Sequence, residues 1–340
     1  MNTQRLLTLC CLDGVSGRED AVRRFVLEQL EQTSTEKEIH VDAMGNVVVH
    51  LIGRQPAAKK VLFDAHMDEV GLMITHISPE GYLHADTIGG IEPDVLFGHR
   101  VRIGNQIGVI GGKAIHQTTG EERATIPSID SLRIDIGAAN KQDAEQIVSI
   151  GDVAAFDAGL IFMENQRFVG KAVDDRIGCA LLLELASQQP EYDIWLSFSV
   201  QEEIGLRGAG VAASQIQPDI AVVVDATTAA DVVGNDSQNE VCALEGGAVV
   251  PFADKATLYD SALYERIHAL AKEHAIPIQT KTRIAGGNNA GTIQRTYTGV
   301  QTAAVSLPCR YIHSPACLGS LVDVQAMQNL LFLLAEELPQ

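Results

Sequence analysis

The run Ile220-Ala-Val-Val-Val-Asp225 constrains the fold more than any other stretch of this sequence. It is apolar on consecutive residues rather than alternate ones, so a strand formed from it needs cover on both faces. The flanking sequence supplies that cover. Residues 177–188 have amphipathic helical spacing, 193–200 read as a strand, and 203–214 lead through glycine-containing turns into a helix. Helices over 257–273 and 322–337 bracket a further strand over 301–307. Strands alternating with helices imply an α/β architecture, a mostly parallel sheet flanked by helices.

The N-terminal part joins the same layer. Residues 6–12 open as an amphipathic helix, and Ser16 with Glu19 three positions on has the form of a capping box for a helix over 19–32. Residues 38–41 and 47–51 flank Asp42-Ala-Met-Gly-Asn46 as a hairpin. Residues 60–65, with Val61-Leu62-Phe63, form a buried strand that ends at Asp64-Ala-His66. The texture then changes. From about 70 to 162 short alternating strands (71–77, 81–85, 100–103 and 108–113) sit among glycines, and helical periodicity returns only over 141–148. The polar stretch 116–129 reads as a loop. We therefore expect a discontinuous α/β domain over 1–69 and 164–340, split by an inserted small β-barrel domain over 70–163. The 340-residue length accommodates two domains of roughly 150 residues each.

Composition removes several classes of function. Lys plus Arg is 25 and Asp plus Glu is 44, a net charge of −19, and 46% of residues are hydrophobic, as in folded proteins. No basic run exceeds a pair such as Lys59-Lys60, so neither a nucleic-acid interface nor a polybasic membrane anchor is expected. No uncharged apolar run reaches the roughly 18 residues of a membrane span. The N-terminal apolar stretch carries Thr8 and stops at Asp13, unlike a signal peptide. Six cysteines without a C-x-x-C pair point to reduced thiols and a cytoplasmic location, and argue against a structural zinc.

Five segments place His, Asp or Glu just after a predicted strand or at the start of a helix: His66-Met-Asp68, Lys171-Ala-Val-Asp-Asp-Arg176, Gln201-Glu-Glu203, Val224-Asp225 and Tyr311-Ile-His-Ser314. Ligands collect beyond the carboxyl ends of strands in open α/β sheets. Each residue alone has an ordinary explanation. His66 and His313 read as satisfied histidines, Asp225 as a turn cap, Asp174 or Asp175 as a helix N-cap, and Glu202-Glu203 as a solvated pair. Together they concentrate charge at the ends of buried strands, and that charge needs a counter-ion. Imidazole and carboxylate suit zinc or cobalt, with manganese a further option. One carboxylate can bridge two ions roughly 3.5–4 Å apart. On an extended backbone Glu202 and Glu203 point to opposite sides, so one can bind metal while the other serves a water as general base. Asp68 suits an acceptor that buttresses the His66 ring.

The segments Asp64-Ala-His-Met-Asp-Glu-Val-Gly-Leu-Met73, Lys171-Ala-Val-Asp-Asp-Arg176, Gln201-Glu-Glu-Ile-Gly-Leu-Arg-Gly208, Val224-Asp225 and Arg310-Tyr-Ile-His-Ser-Pro315 together resemble the TET-type di-metal aminopeptidases. These are the glutamyl and deblocking aminopeptidases, whose members often carry an endoglucanase label. The resemblance runs from Gly14-Val-Ser-Gly17 to His313. It implies a di-zinc exopeptidase-like catalytic domain that removes N-terminal residues from short peptides. One metal would take His66, Asp174 and Asp225, and the other Asp174, Glu203 and His313. Glu202 would be the general base and Asp68 the support of His66. The inserted domain would be PDZ-like and dimerising, within a homo-oligomer that reaches a dodecamer built from dimers. The loop at His116 would approach a neighbour's active site.

One segment departs from the family pattern: Gly286-Gly-Asn-Asn-Ala-Gly291 stands where Gly-Gly-Thr-Asp is common. We expect this loop to line the substrate pocket, with neutral Asn289 bearing on side-chain preference. Arg283 and Arg310 are candidates for a basic pocket. Rival readings are a glycoside hydrolase, a deacylase or carboxypeptidase of a related clan, and a silent homologue. Glycoside cleavage needs two carboxyl groups about 5–9.5 Å apart. Aromatic residues to stack on sugar are sparse, at one Trp, six Tyr and nine Phe. The intact set of candidate ligands argues against a silent protein.

Overall fold

Val61, Phe63 and Ala65 pack into one apolar layer and Leu62, between them, into another. The same two-residue alternation separates Ile220, Val222 and Val224 from Ala221 and Val223, and Ala303, Val305 and Leu307 from Ala304. These strands are buried on both faces, as their unbroken apolar runs require. The computed structural model describes residues 1–235 and 241–340.

Helices α1 (Thr3–Cys11) and α2 (Asp20–Glu31) lead to the hairpin β1 (Lys37–Val41) and β2 (Val47–Leu51), then to β3 (Val61–His66). Next come β4 (Gly71–Ile77), β5 (Leu83–Ile88), β6 (Arg100–Ile103), β7 (Gln106–Gly111), α3 (Gly120–Arg123), β8 (Arg133–Asp135), α4 (Lys141–Glu145) and β9 (Val153–Phe156). β10 (Ile161–Phe162) and β11 (Arg167–Gly170) follow, then α5 (Val173–Ala186), β12 (Ile194–Ser199), α6 (Arg207–Ile216) and β13 (Ile220–Thr228). The chain ends through β14 (Ala248–Pro251), α7 (Ser261–Glu273), β15 (Ile278–Lys281), α8 (Ala290–Ile293), β16 (Gln301–Cys309), β17 (Cys317–Ser320) and α9 (Leu321–Glu337).

Among the described residues the large sheet runs β1-β2-β12-β3-β13-β16-β14-β15. Its middle, β12-β3-β13-β16, is parallel, and the hairpin at one edge and β14 against β16 are antiparallel. The expected α/β sheet is therefore present. Residues of α1, α2, α5 and α9 cover one face, and residues of α6 and α8 the other. Strands β4 to β9 close into a barrel in the order β4-β5-β8-β7-β6-β9, filled by Leu72, Ile74, Leu83, Val101, Ile110, Ile134 and Phe156. Closure leaves no free edge along its strands. The barrel is the one expected from the alternating strands between about 70 and 162. β10 and β11 pair instead with β17 in a separate three-stranded sheet.

Several local expectations shift. The capping box at Ser16 does not form: α2 starts at Asp20, and the Ser16 hydroxyl donates to Asp68 at 2.6 Å instead. A buried carboxylate competes better for that hydroxyl than a helix end does. α7 starts at Ser261, four residues later than expected from 257, because the Asp260 carboxylate accepts from Leu263 N–H and caps it there. The 116–129 stretch contains the one-turn α3, closed by a capping box between Thr119 and Glu122.

Asn46 ties three elements together. Its amide donates to the Gly208 carbonyl at 3.0 Å and to Asp42 at 2.7 Å, and its oxygen accepts from Val200 N–H at 3.0 Å. Gly208 is pressed against the same point: a Cβ there would stand 2.3 Å from the Val200 oxygen and 2.4 Å from Asn46 Oδ1. This clamp fixes where β12 ends and α6 begins, and the Glu202-Glu203 pair lies between them. Asn46→Ala strands two buried backbone groups and is expected to cost about 3 kcal/mol. A chemical unfolding midpoint equal to that of the parent protein would show that the clamp carries no such load.

Candidate metal centre

The carboxyl ends of the parallel strands converge on one cavity. His66 is the last residue of β3, Asp225 lies in β13, Glu202 and Glu203 follow β12, and His313 lies between β16 and β17. Asp174 sits in the first turn of α5, after the left-handed Ala172 (φ 53°), and its peptide bond to Asp175 is cis. Gln201 (φ 57°), Tyr311 (φ 59°) and His313 itself (φ 58°) also hold left-handed backbone conformations, a concentration typical of functional sites.

The Asp174 carboxylate lies between two imidazoles. Its Oδ1 is 3.0 Å from His66 Nε2 and its Oδ2 is 3.4 Å from His313 Nε2. His66 Nε2 is also 3.8 Å from Asp225, and His313 Nε2 is 3.4 Å from Glu203. Two triads result, His66-Asp174-Asp225 and Asp174-Glu203-His313, each with donor atoms within 4.8 Å of one another and Asp174 common to both. The ring nitrogens on the far side are held by oxygen. His66 Nδ1 meets the Asp68 carbonyl at 3.1 Å and its carboxylate at 3.4 Å, and His313 Nδ1 donates to the Gly90 carbonyl at 2.8 Å. That arrangement leaves Nε2 of each ring pointing into the site, where loss of its proton offers a lone pair to a cation.

Asp68 does more than support a histidine. It is fully buried and accepts from the backbone N–H of Glu202 at 2.9 Å, that of Glu203 at 3.1 Å, and the Ser16 hydroxyl. The Glu202-Glu203 pair is therefore not on extended backbone. It lies in a turn that the Gly205 and Leu206 N–H groups close onto the Glu202 carbonyl. Both glutamates line the cavity, and Glu203 lies 3.4 Å from His313 Nε2. Asp175 turns away, accepting from Gly178 N–H within α5 and from His66 N–H. Lys171 and Arg176, which flank the pair, are fully buried and brace it from beneath. Lys171 reaches Asp13 at 2.7 Å and Glu69 at 3.0 Å, and Arg176 reaches Glu69 and the carbonyls of Leu9 and Leu12.

The electrostatics are those of an over-filled acidic site. Burial raises Glu203 to about 8, with Asp174 adding, and lifts Glu202, Asp175 and Asp225 well above the carboxylate range. Burial opposes charge on His66 and His313, but the neighbouring carboxylates win, Asp174 foremost, raising His66 well above its usual value and His313 to about 10. Asp174 resists its own burial and stays low because both imidazoles bond to it. Glu203 Oε1 is buried with no hydrogen-bond partner. Orphaned oxygen and all-N,O donors fit a divalent cation.

Asn289 does not line the cavity among the described residues. It is buried and donates to Asp64 at 2.8 Å and Ser199 at 2.9 Å, behind the site. Its neighbours Gly286, Gly287 and Asn288 do form the wall. Arg310 is held in a two-point pair by Asp231, at 2.7 and 2.8 Å. Sequence reasoning missed the Gly90 carbonyl, which no residue type signals, and gave Ser16 a different task.

A family model described as M42 glutamyl aminopeptidase matches residues 45–330. The chain belongs to the M42 glutamyl aminopeptidase family. The lysyl aminopeptidase of Pyrococcus furiosus is 34% identical to this M42 chain over 96% of it and 94% of the relative. A TET aminopeptidase from the marine sediment archaeon Thaumarchaeota archaeon superposes with a TM-score of 0.93 at 32% identity, covering 99% of this chain and 96% of the other. The TET1 peptidase of Pyrococcus horikoshii, which assembles into a tetrahedron or a large octahedral shell, gives 0.86 at 29% identity over 98% and 99%. This M42 protein is a hydrolase that acts as an aminopeptidase and uses divalent metal.

Proton linkage follows from the raised groups. Below about 8, Glu203 and His313 retain protons that a cation must displace, so binding releases protons and weakens as pH falls. Zinc titrations by calorimetry in buffers of different ionisation enthalpy will report that release; binding without proton release would contradict it.

Proposed function

We propose that this chain removes N-terminal residues from short peptides at a centre of two divalent cations. One is held by His66, Asp174 and Asp225, the other by Asp174, Glu203 and His313. The observation that carries the reading is the Asp174 carboxylate set between His66 and His313, one oxygen toward each ring. Zinc or cobalt suits imidazole and carboxylate donors best, with manganese next. When bound, the cations supply Lewis acidity toward the peptide carbonyl and toward water.

Glu202 is the general base. No hydrogen bond among the described residues engages its carboxylate, and Glu202 lines the same cavity as the residues of both triads. It takes the proton of the attacking water and returns it to the leaving amine. Asp68 is the positioning residue. By holding the backbone of Glu202 and Glu203 together with the His66 ring, it sets base and ligands relative to one another.

We assign residues 70–163 to an inserted dimerisation domain, with the catalytic domain formed by 1–69 and 164–340. The tetrahedral and octahedral shells of the Pyrococcus horikoshii relative and the dodecamer of the related PhTET1 structure favour a homo-oligomer, which we take to be a dodecamer built from dimers. Six free cysteines, five of them buried, favour the reducing cytoplasm.

Matched free and N-acetylated peptides, with and without a chelator, test the activity. Chelator-sensitive cleavage of the free-amine set alone is expected; equal cleavage of the acetylated set would point to another hydrolase. Glu202→Gln should lower kcat by about 10²–10⁴-fold with metal content retained. Asp174→Ala should empty both positions and His313→Ala one, as measured by elemental analysis of the purified protein. Retention of both metals by Asp174→Ala would overturn the shared-carboxylate assignment.

A further inference from the structure

We propose that the loop between α1 and α2 is a positioning element of the catalytic step, in which Ser16 and Glu19 hold the backbone that carries the general base Glu202. The inference rests on the aminopeptidase reading above and adds two residues to the same site.

Three consecutive backbone N–H groups donate to two buried carboxylates. Gln201 N–H reaches Glu19 Oε1 at 3.2 Å, Glu202 N–H reaches Asp68 Oδ1 at 2.9 Å, and Glu203 N–H reaches Asp68 Oδ2 at 3.1 Å. The carbonyls of the same stretch are occupied within the turn. Val200 accepts from Gly208, Gln201 from Arg207, and Glu202 from Gly205 and Leu206. The turn therefore closes on itself through its carbonyls and presents its N–H groups to the two acids. Successive N–H groups turned to one side form an anion cradle, and here the anions are the protein's own. Gln201 needs the restraint most, because its φ of 57° is a conformation that a side-chain-bearing residue rarely adopts.

The loop governs both acids. Glu19 is one of them. It is buried, and its Oε1 also accepts from Gly17 N–H at 2.7 Å, which fixes the carboxylate within the loop. The other, Asp68, receives the Ser16 hydroxyl on Oδ2 at 2.6 Å, the shortest contact its carboxylate makes. Without that hydroxyl, Oδ2 keeps the Glu203 N–H alone, while Oδ1 stays between Glu202 N–H and the His66 ring. The carboxylate is then free to turn, and the Glu202 backbone turns with it. The loop is itself fastened beside the residues it serves. Glu69 N–H donates to the Gly14 carbonyl at 3.0 Å, Ser16 N–H to the Glu69 carbonyl at 3.3 Å, and Gly14 N–H to the Glu69 carboxylate at 2.9 Å. Neither Ser16 nor Glu19 lines the cavity, so each acts through another residue.

The test measures kcat and KM of the metal-loaded enzyme on the free-amine peptide it cleaves fastest. Active sites are counted with a tight-binding peptide hydroxamate, and metal by elemental analysis. Ser16→Ala and Glu19→Ala should each lower kcat by about tenfold or more, as small displacements of a catalytic group do, with KM and metal content unchanged. Ser16→Thr keeps the hydroxyl and Glu19→Gln keeps the accepting oxygen, so both should retain most of the parent kcat. Where an alanine variant fails to fold, Ser16→Cys, a near-isostere and weak donor, and Glu19→Asp, one methylene short, replace it with the same expected loss. The decisive measurement is the double variant. With Glu202→Gln no base is left to misplace, so adding Ser16→Ala should lower the residual rate by less than about twofold, whereas a purely structural role subtracts the same factor in either background. Parent-like kcat in the Ser16 and Glu19 loss variants, or an undiminished effect beside Glu202→Gln, overturns the inference and leaves the aminopeptidase reading standing. Full activity of Glu202→Gln, or no cleavage of any free-amine peptide by the metal-verified parent, overturns both.

Discussion

The structure is organised around an excess of buried negative charge. Asp68, Asp174, Asp175, Glu202, Glu203 and Asp225 gather at the ends of β3, β12 and β13 and the start of α5, against the two imidazoles of His66 and His313. Isolated buried carboxylates are among the most unfavourable groups a fold can contain. The chain resolves the problem by giving each acid separate work. Asp175 is consumed by backbone N–H groups, and Asp68 by two more and a hydroxyl. Asp174, Glu203 and Asp225 are left facing the Nε2 side of the imidazoles, with Glu202 lining the same cavity. The Lys171-Glu69-Arg176 network then anchors the whole platform to the N-terminal loop.

Much of this was legible in the sequence, and for identifiable reasons. β3, β13 and β16 announce themselves because strands covered on both faces are apolar without alternation. The acids and histidines at their ends stand out because charged and ionisable groups are rare in such segments. The strands β14, β15 and β17 left no comparable mark. Each has four residues, and Ala-Val-Val-Pro, Ile-Gln-Thr-Lys and Cys-Leu-Gly-Ser fit turns as well as strands. Their pairing is imposed by neighbours far along the chain. The same holds for Lys281, which no local pattern distinguishes from other lysines. It reaches the cavity only because β15 adds to the sheet beyond β14.

Asn289 illustrates how a residue can be noticed for one reason and used for another. Its place in a glycine-rich loop marked it as a wall of the pocket, yet its amide points inward to Asp64 and Ser199. Asp64 is fully buried, and burial raises its carboxyl to about 6, against hydrogen bonds from Asn289 and Ser199. An acid at position 289 would set two buried carboxyl groups face to face. The neutral amide supplies a donor instead, so the choice of residue answers to the interior behind the site.

The contact between His313 and Gly90 joins the two parts of the molecule at their most sensitive point. Gly90 follows β5 of the barrel, and its carbonyl fixes the tautomer and tilt of an imidazole on the segment that leaves β16 of the large sheet. The barrel is therefore a component of the metal centre as well as a neighbour of it. A small rocking of the barrel against the sheet acts on that ring as a lever, moving its Nε2 relative to Asp174 and Glu203. Whatever grips the barrel from outside thereby acquires mechanical access to one half of the metal centre and leaves the other half, built wholly on the sheet and α5, undisturbed.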